Sequence, residues 1–217
     1  MWHTPDQLFD LLPFLGVCLL IVLLLVFFGS RKAPGYRFFA GMWGEKSVAS
    51  ALRSLGSGYR VLNDLLLRSG STTCQVDHVV VSKYGIFVIE TKNFKGTVTG
   101  SDQARYWSWD GGDGTKTFYS PVEQNDRHVE VLSSVLGLSR ELFVPVVVFT
   151  GKAHIWLDTS HFVLFLGQLV PFIRVFRRQV IDEARLRPIA ERLQQLNITD
   201  ERVREAHVVN ARRAARR

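Results

Sequence analysis

The sequence predicts a mixed α/β (α+β) domain, a mixed sheet core flanked by helices, preceded by one N-terminal transmembrane helix. Three observations carry this: an unbroken apolar run near the start, two adjacent strand patterns joined by a glycine-containing turn, and amphipathic helical patterns on either side of those strands. With 217 residues the chain has room for one domain with a substantial core plus appendages, and not for two large domains. Its formal charge of +7 favours a polyanionic partner, nucleic acid or anionic lipid. The two cysteines, Cys18 and Cys74, exclude a disulfide framework and a cysteine zinc cluster and fit a reducing compartment.

Residues 11–28, LLPFLGVCLLIVLLLVFF, are uniformly apolar and long enough to cross a hydrocarbon core of ~30 Å at ~1.5 Å per residue. Asp6 and Asp10 precede the run, no Lys or Arg does, and Arg31, Lys32 and Arg37 follow it; no small-residue cleavage site is present. By the positive-inside rule residues 1–10 are a short extracytoplasmic N-terminus and everything after Phe28 is cytoplasmic. The expected localisation is the cell (inner) membrane, single-pass. Residues 29–40, rich in Gly, basic and aromatic residues, read as a juxtamembrane linker.

The core is expected over residues 41–150. After Gly44 the spacing of Glu45, Val48, Ala49 and Leu52 predicts a helix that carries Glu45 on its inward side and ends at Gly56 and Gly58. A short strand is expected at Tyr59–Leu62. Cys74–Val81 and Ile86–Lys92 then read as a hairpin around Ser82-Lys83-Tyr84-Gly85. A further strand and an aromatic hairpin turning at Asp110-Gly111-Gly112 follow. Ser120 is expected to cap the next helix, with Pro121 at its first position, Glu123 closing a capping box, Gln124, His128, Val131 and Val135 inward, and an end at Gly137. FVPVVVFTG reads as a buried strand. Residues 151–198 add two short strands, AHIWLD and HFVLFLG, and a helix from about Arg177 to Leu196; residues 199–217 are a last helix from Asp200 and a basic tail.

Two carboxylates and an amine interrupt the apolar hairpin: Asp77 in one strand, Glu90 and Lys92 in the other. Charges taken out of water cost several kcal/mol unless they are paired or bind a metal. Strand alternation puts Glu90 and Lys92 on one face, and hairpin partners lie ~5 Å apart, so carboxylates near the strand ends can meet around one hard cation. Mg²⁺ or Mn²⁺ held by Asp77 and Glu90, with Glu45 as a further ligand directly or through water, compensates them and polarises a phosphate. Lys92 then orients or helps deprotonate the attacking water, and Gln124 hydrogen-bonds water or phosphate.

Asp77, the Glu90-Thr91-Lys92 tripeptide and their spacing resemble the PD-(D/E)xK nuclease superfamily and, more narrowly, the nuclease-related domain (NERD) family. Gly44-Glu45, VDHVVVSKYGIFVIETKN and SPVEQN match that family's motifs, and the resemblance spans roughly Gly41 to Thr150. The proline that often precedes the first aspartate is replaced by Val76. The resemblance implies a restriction-endonuclease-like fold and metal-dependent hydrolysis of DNA phosphodiesters. The implied catalytic set is Glu45, Asp77, Glu90, Lys92 and Gln124.

Lys95, Arg105, Lys116 and Arg127 are expected to form a weak nucleic-acid surface without sequence preference, since no groove-reading helix pattern stands out. His78, on the opposite strand face from Asp77, reads as a packed histidine, and His128 as a helix-face residue near the site. Tyr106, Trp107, Trp109 and Tyr119 can stack on unpaired bases but more commonly such a cluster packs its own hairpin. The alternative function is a catalytically inactive membrane-anchored nucleic-acid-binding or scaffold protein that retains the nuclease fold.

Overall fold

A computed structural model describes the backbone of residues 34–214 and the side chains of 42–211 and 213. The membrane span expected at residues 11–28, the segment before it and the last three residues of the basic tail lie outside the described residues. Among the described residues no helix is long and apolar enough to cross a membrane. The chain divides between Ala40 and Gly41.

In chain order the elements are α1 (Pro34–Leu52), β1 (Tyr59–Ser69), β2 (Thr72–Ser82), β3 (Gly85–Lys92), β4 (Gly96–Ser101), β5 (Tyr106–Asp110), β6 (Thr115–Tyr119), α2 (Pro121–Leu136), β7 (Phe143–Phe149), β8 (Ala153–Asp158), β9 (Phe162–Phe165), α3 (Leu166–Val175), α4 (Glu183–Leu196) and α5 (Glu201–Ala214). Helix α1 starts at Pro34, inside the stretch read as a linker. Proline suits a first helical turn, where its missing N–H has no partner to lose.

Five strands form a mixed sheet in the order β1-β2-β3-β7-β9, antiparallel through β3 and parallel from β3 onward. Each face is apolar because strand side chains alternate. Ile86 and Val88 join the core under α2 and α4, with Val129, Leu132, Ile189 and Leu193. Phe87 and Ile89 join the core under α1 and α3, with Val48, Leu52, Leu169 and Ile173. At ~1.5–3 kcal/mol per buried aliphatic side chain, these two layers fix the central strand from both sides. The second sheet, order β6-β5-β4-β8, was not expected as a separate layer. Its parallel β4–β8 pair joins residues far apart in sequence, and Trp107, Val98 and Phe149 bury between it and β7.

Strand β1 runs past its expected end at Leu62 to Ser69. Pairing with β2 holds one register on both sides of Asp64 (Asn63 opposite His78, Leu65 opposite Val76), yet Asp64 itself is left-handed, with φ 53°. The alternation changes phase there: Leu62 reaches the core under α2 before the interruption, and Leu65 and Leu67 reach it after. Val79 and Val76 show the same shift on either side of Asp77.

Three expectations are corrected. HFVLFLG is strand only to Phe165; the Gln168 side chain accepts the Phe165 N–H at 2.8 Å, and Leu169 and Ile173 bury one turn apart to make α3. The helix expected from Arg177 begins at Glu183, because Asp182 caps it and the Val180 and Ile181 N–H groups donate to the Lys83 carbonyl in the β2–β3 turn. In α2, Ser120 caps Glu123 N–H and Gly137 closes the end in a left-handed conformation as expected, but the Ser120 N–H donates to Arg105 O, so the reciprocal half of the capping box is not made.

Candidate active site

Pairing between β2 and β3 stops at His78 opposite Ile89. Beyond it the Thr91 N–H donates to Asp77 Oδ2 at 2.8 Å, so a side chain replaces the next rung of the ladder. This opens a cleft at the end of the hairpin while β3 stays paired with β7 as far as Lys92 opposite Phe149. Alternation along β3 sends Glu90 and Lys92 to one face, the one covered by α2. Lys92 Nζ donates to Glu90 Oε1 at 2.6 Å and to Gln124 Oε1 at 3.0 Å.

Glu90 is almost wholly buried, 3% exposed, against 19% for Lys92. Its second oxygen, Oε2, stands 3.5 Å from His128 Nδ1, but neither atom has a hydrogen-bond partner among the described residues. Burial holds the His128 imidazole below its ordinary pKa, favouring the neutral ring despite the neighbouring Glu90 charge. Glu90 therefore keeps one buried acceptor without a hydrogen-bond partner, beside His128.

Glu45 comes to the cleft on α1. The helix approaches closely because Gly44 has no side chain: a Cβ there would lie 2.7 Å from Thr150 Oγ1 and 3.1 Å from Asn93 Cβ. Glu45, Asp77, Gln124, Arg127 and His128 line one cavity of about 500 Å³, whose other walls are the β1–β2 tip and His207 and Ala211 of α5. Burial, then the charges of Glu90 and Glu45, pushes the Asp77 carboxyl well above its ordinary range, against the Thr91 hydrogen bond and Lys92. Burial and the Asp64 and Glu90 charges raise Glu45 likewise, opposed by Lys92. The acidic groups thus outweigh the ammonium supplied to them.

Glu45, Asp77 and Gln124 line this cleft, and Glu90 and Lys92 stand next to them, joined to Gln124 through the Lys92 hydrogen bonds. Of the four basic residues expected on the nucleic-acid surface, Arg127 lines it and Arg105 sits beside it, over the Tyr106 ring at 5.9 Å. Lys116 lies over Trp109 at 5.7 Å, and the Trp109 indole N–H donates to Lys95 O, so these two gather farther along the hairpin. His78 bonds Asn63 Oδ1 at 2.8 Å, and burial lowers its pKa to about 4, as suits a packed histidine. Burial raises the Cys74 thiol to about 11, an unreactive state at neutral pH.

Two residues escaped the sequence reading. Asn125, fully buried, donates Nδ2 to Val88 O at 2.9 Å and Val146 O at 3.1 Å and so ties α2 to β3 and β7. It stands beside Gln124 in the same SPVEQN motif, where only the glutamine drew attention. Asp64 lies across from Asp77 and is held by Arg204 and by Gln75 Nε2 at 2.9 Å. Its signal was the same as that of Asp77, a lone carboxylate in an apolar run.

The family model of the nuclease-related domain matches residues 40–150, just over half of the chain. An uncharacterized protein of Bacillus anthracis, pXO1-01, is 27% identical over 176 residues, which cover 77% of this chain and 82% of that relative. Among solved structures, the crystal structure of AF1548, a protein of unknown function, is similar at 11% identity with a TM-score of 0.36, over 78% of this chain and 95% of that one. By that family-model match, this chain belongs to the nuclease-related domain (NERD) family.

Proposed function

We propose that the chain is a membrane-anchored, cytoplasm-facing nuclease of restriction-endonuclease-like fold that hydrolyses DNA phosphodiester bonds with little sequence specificity, using Mg²⁺ or Mn²⁺. Family membership supports nuclease-related activity at the coarse level. The observation that carries the rest is a cavity lined by Glu45, Asp77 and Gln124, with Lys92 bonded to both Gln124 and Glu90 beside it.

The donors suit a hard divalent ion. They are carboxylate oxygens, Glu90 Oε2 is an orphaned buried acceptor, and after burial the Glu90 charge raises both Asp77 and Glu45. Among the described residues no group of three or more Asp, Glu, His or Cys side chains is gathered closely enough to hold a metal by itself. The protein's share is therefore Asp77 and Glu90, with Glu45 acting through water, in keeping with an ion that retains waters and takes one or two carboxylates plus a substrate phosphate. When bound, the ion supplies charge stabilisation at the phosphate and a water of lowered pKa. Lys92, steered by Glu90 and Gln124, aligns the attacking water and offsets phosphate charge. Gln124 has its amide nitrogen to offer a phosphate oxygen, since its Oε1 is taken by Lys92.

Anchoring rests on the apolar run at residues 11–28 and the cations that follow it. The test is cleavage of plasmid and oligonucleotide DNA by the full chain in detergent with Mg²⁺, Mn²⁺ or EDTA. Cleavage with either ion and none in EDTA is expected; equal cleavage in EDTA refutes the metal mechanism. DNA binding with no cleavage under any condition returns the inactive scaffold reading.

A further inference from the structure

We propose that the cleft receives an unpaired DNA strand, whose bases stack on Tyr119 and Tyr106 while its phosphates follow Arg127 and Arg105. The inference rests on the nuclease reading and gives it a substrate class.

The hairpin aromatics divide into two groups. Trp107 is fully buried between the sheets, and the Trp109 indole is hydrogen-bonded to Lys95 O, so both tryptophans serve the fold. Tyr106, by contrast, is 55% exposed. Tyr119 lines the cleft and lies directly across the hairpin from Tyr106, the ring centroids 6.0 Å apart and the planes at 77°. A guanidinium accompanies each ring: Arg127 at 5.4 Å from Tyr119 and Arg105 at 5.9 Å from Tyr106, both within cation–π reach. A row of rings and cations therefore runs from the cavity across the hairpin, from Arg127 and Tyr119 to Tyr106 and Arg105.

Rings of this kind bind bases without regard to sequence, because every base has a π-face, and cations beside them track the backbone. Bases inside a duplex have both faces taken by their neighbours in the stack; only an unpaired strand has faces to offer. The cavity also has the size of a site that encloses a small molecule, about 500 Å³. Helix α5 also bounds it through His207 and Ala211 and is joined to β2 by the hydrogen bond between His207 Nδ1 and Thr73 Oγ1 at 2.8 Å. A single strand can thread between this helix and the hairpin.

The experiment is fluorescence anisotropy with the full chain in detergent and EDTA, titrated against a labelled single-stranded oligodeoxynucleotide and a blunt duplex of the same sequence. The single strand is expected to bind more tightly. Tyr106→Ala should weaken single-strand binding about tenfold, from the usual strength of one base–aromatic stack, and leave the duplex unchanged. Tyr106→Trp should retain single-strand binding, which separates lost stacking from lost fold. Equal or tighter binding of the duplex, or single-strand binding unaffected by Tyr106→Ala, overturns the proposal. If Tyr106→Ala loses the single strand but the wild-type chain cuts nothing in Mg²⁺ or Mn²⁺, the nuclease reading fails and this one stands. If the chain cuts blunt duplex and ignores the single strand, the nuclease reading stands and this one fails.

Discussion

Replacing Lys92 by methionine removes an ammonium and keeps most of the packing volume. Its partner Glu90 is only 3% exposed and cannot recover water when the 2.6 Å ion pair is lost. Removing one member of a buried pair typically costs ~3–5 kcal/mol. Lys92 is itself 19% exposed, so the pair is partly wetted and the low end, about 3 kcal/mol, is expected. For a chain of this size that is a fall in Tm of about 6–12 °C. The assay is thermal or urea unfolding of the full chain in EDTA. A divalent ion beside Glu90 does the work of the missing charge, so Mg²⁺ at a hundredfold above its Kd should return about 2.7 kcal/mol. Cleavage should stay abolished, because the ion does not replace the ammonium that orients the nucleophile. A Lys92→Met protein as stable as wild type in EDTA refutes the claim that lysine compensates Glu90. A loss that neither Mg²⁺ nor Mn²⁺ repairs refutes an ion site at that carboxylate.

Asp77→Asn should have the opposite sign. Asp77 and Glu45 bind protons more tightly folded than unfolded, so the stability they lend is full below their ordinary values of 3.8 and 4.5 and is lost as pH rises through the higher folded values. The metal-free wild type should therefore lose Tm as pH rises above about 4 toward neutrality, and Asp77→Asn should raise Tm at pH 7 in EDTA, flatten that slope and abolish cleavage; a lower Tm at pH 7 would contradict the assigned repulsion. Asn125→Ala should cost about 2 kcal/mol, two buried hydrogen bonds at ~1 kcal/mol each, read as a lower urea midpoint at unchanged m. An unchanged midpoint would mean that α2 is held by its apolar contacts alone.

The β2–β3 hairpin was legible because its information is local: a glycine turn, period-two alternation, and charges standing out against valine and isoleucine. The same alternation placed Glu90 and Lys92 on one face of the strand, while which helix covers that face became clear only from the Lys92–Gln124 hydrogen bond. What stayed hidden was non-local or contrary to local signals. The separate sheet depends on β4 meeting β8 about fifty residues later, for which neither strand carries a mark. In α3 an apolar run of strand-like composition, with Pro171 inside the helix, is decided by a single Gln168 cap and by burial against β7 and β9. Asp64 hid because LNDLLL reads equally as strand or loop, whereas one left-handed residue lets the strand continue with its phase shifted.

The hydrogen bond from Thr91 to Asp77 comes from the main chain. The middle position of the Glu-x-Lys tripeptide therefore serves the cleft through its peptide group, while its side chain faces α1 at Gly44. What that position must preserve is an amide hydrogen and a shape that lets a helix press close. Size and the absence of proline constrain it, and chemical identity does not. Variation there can tune how Glu45 is presented without touching the acid that anchors the opposite wall.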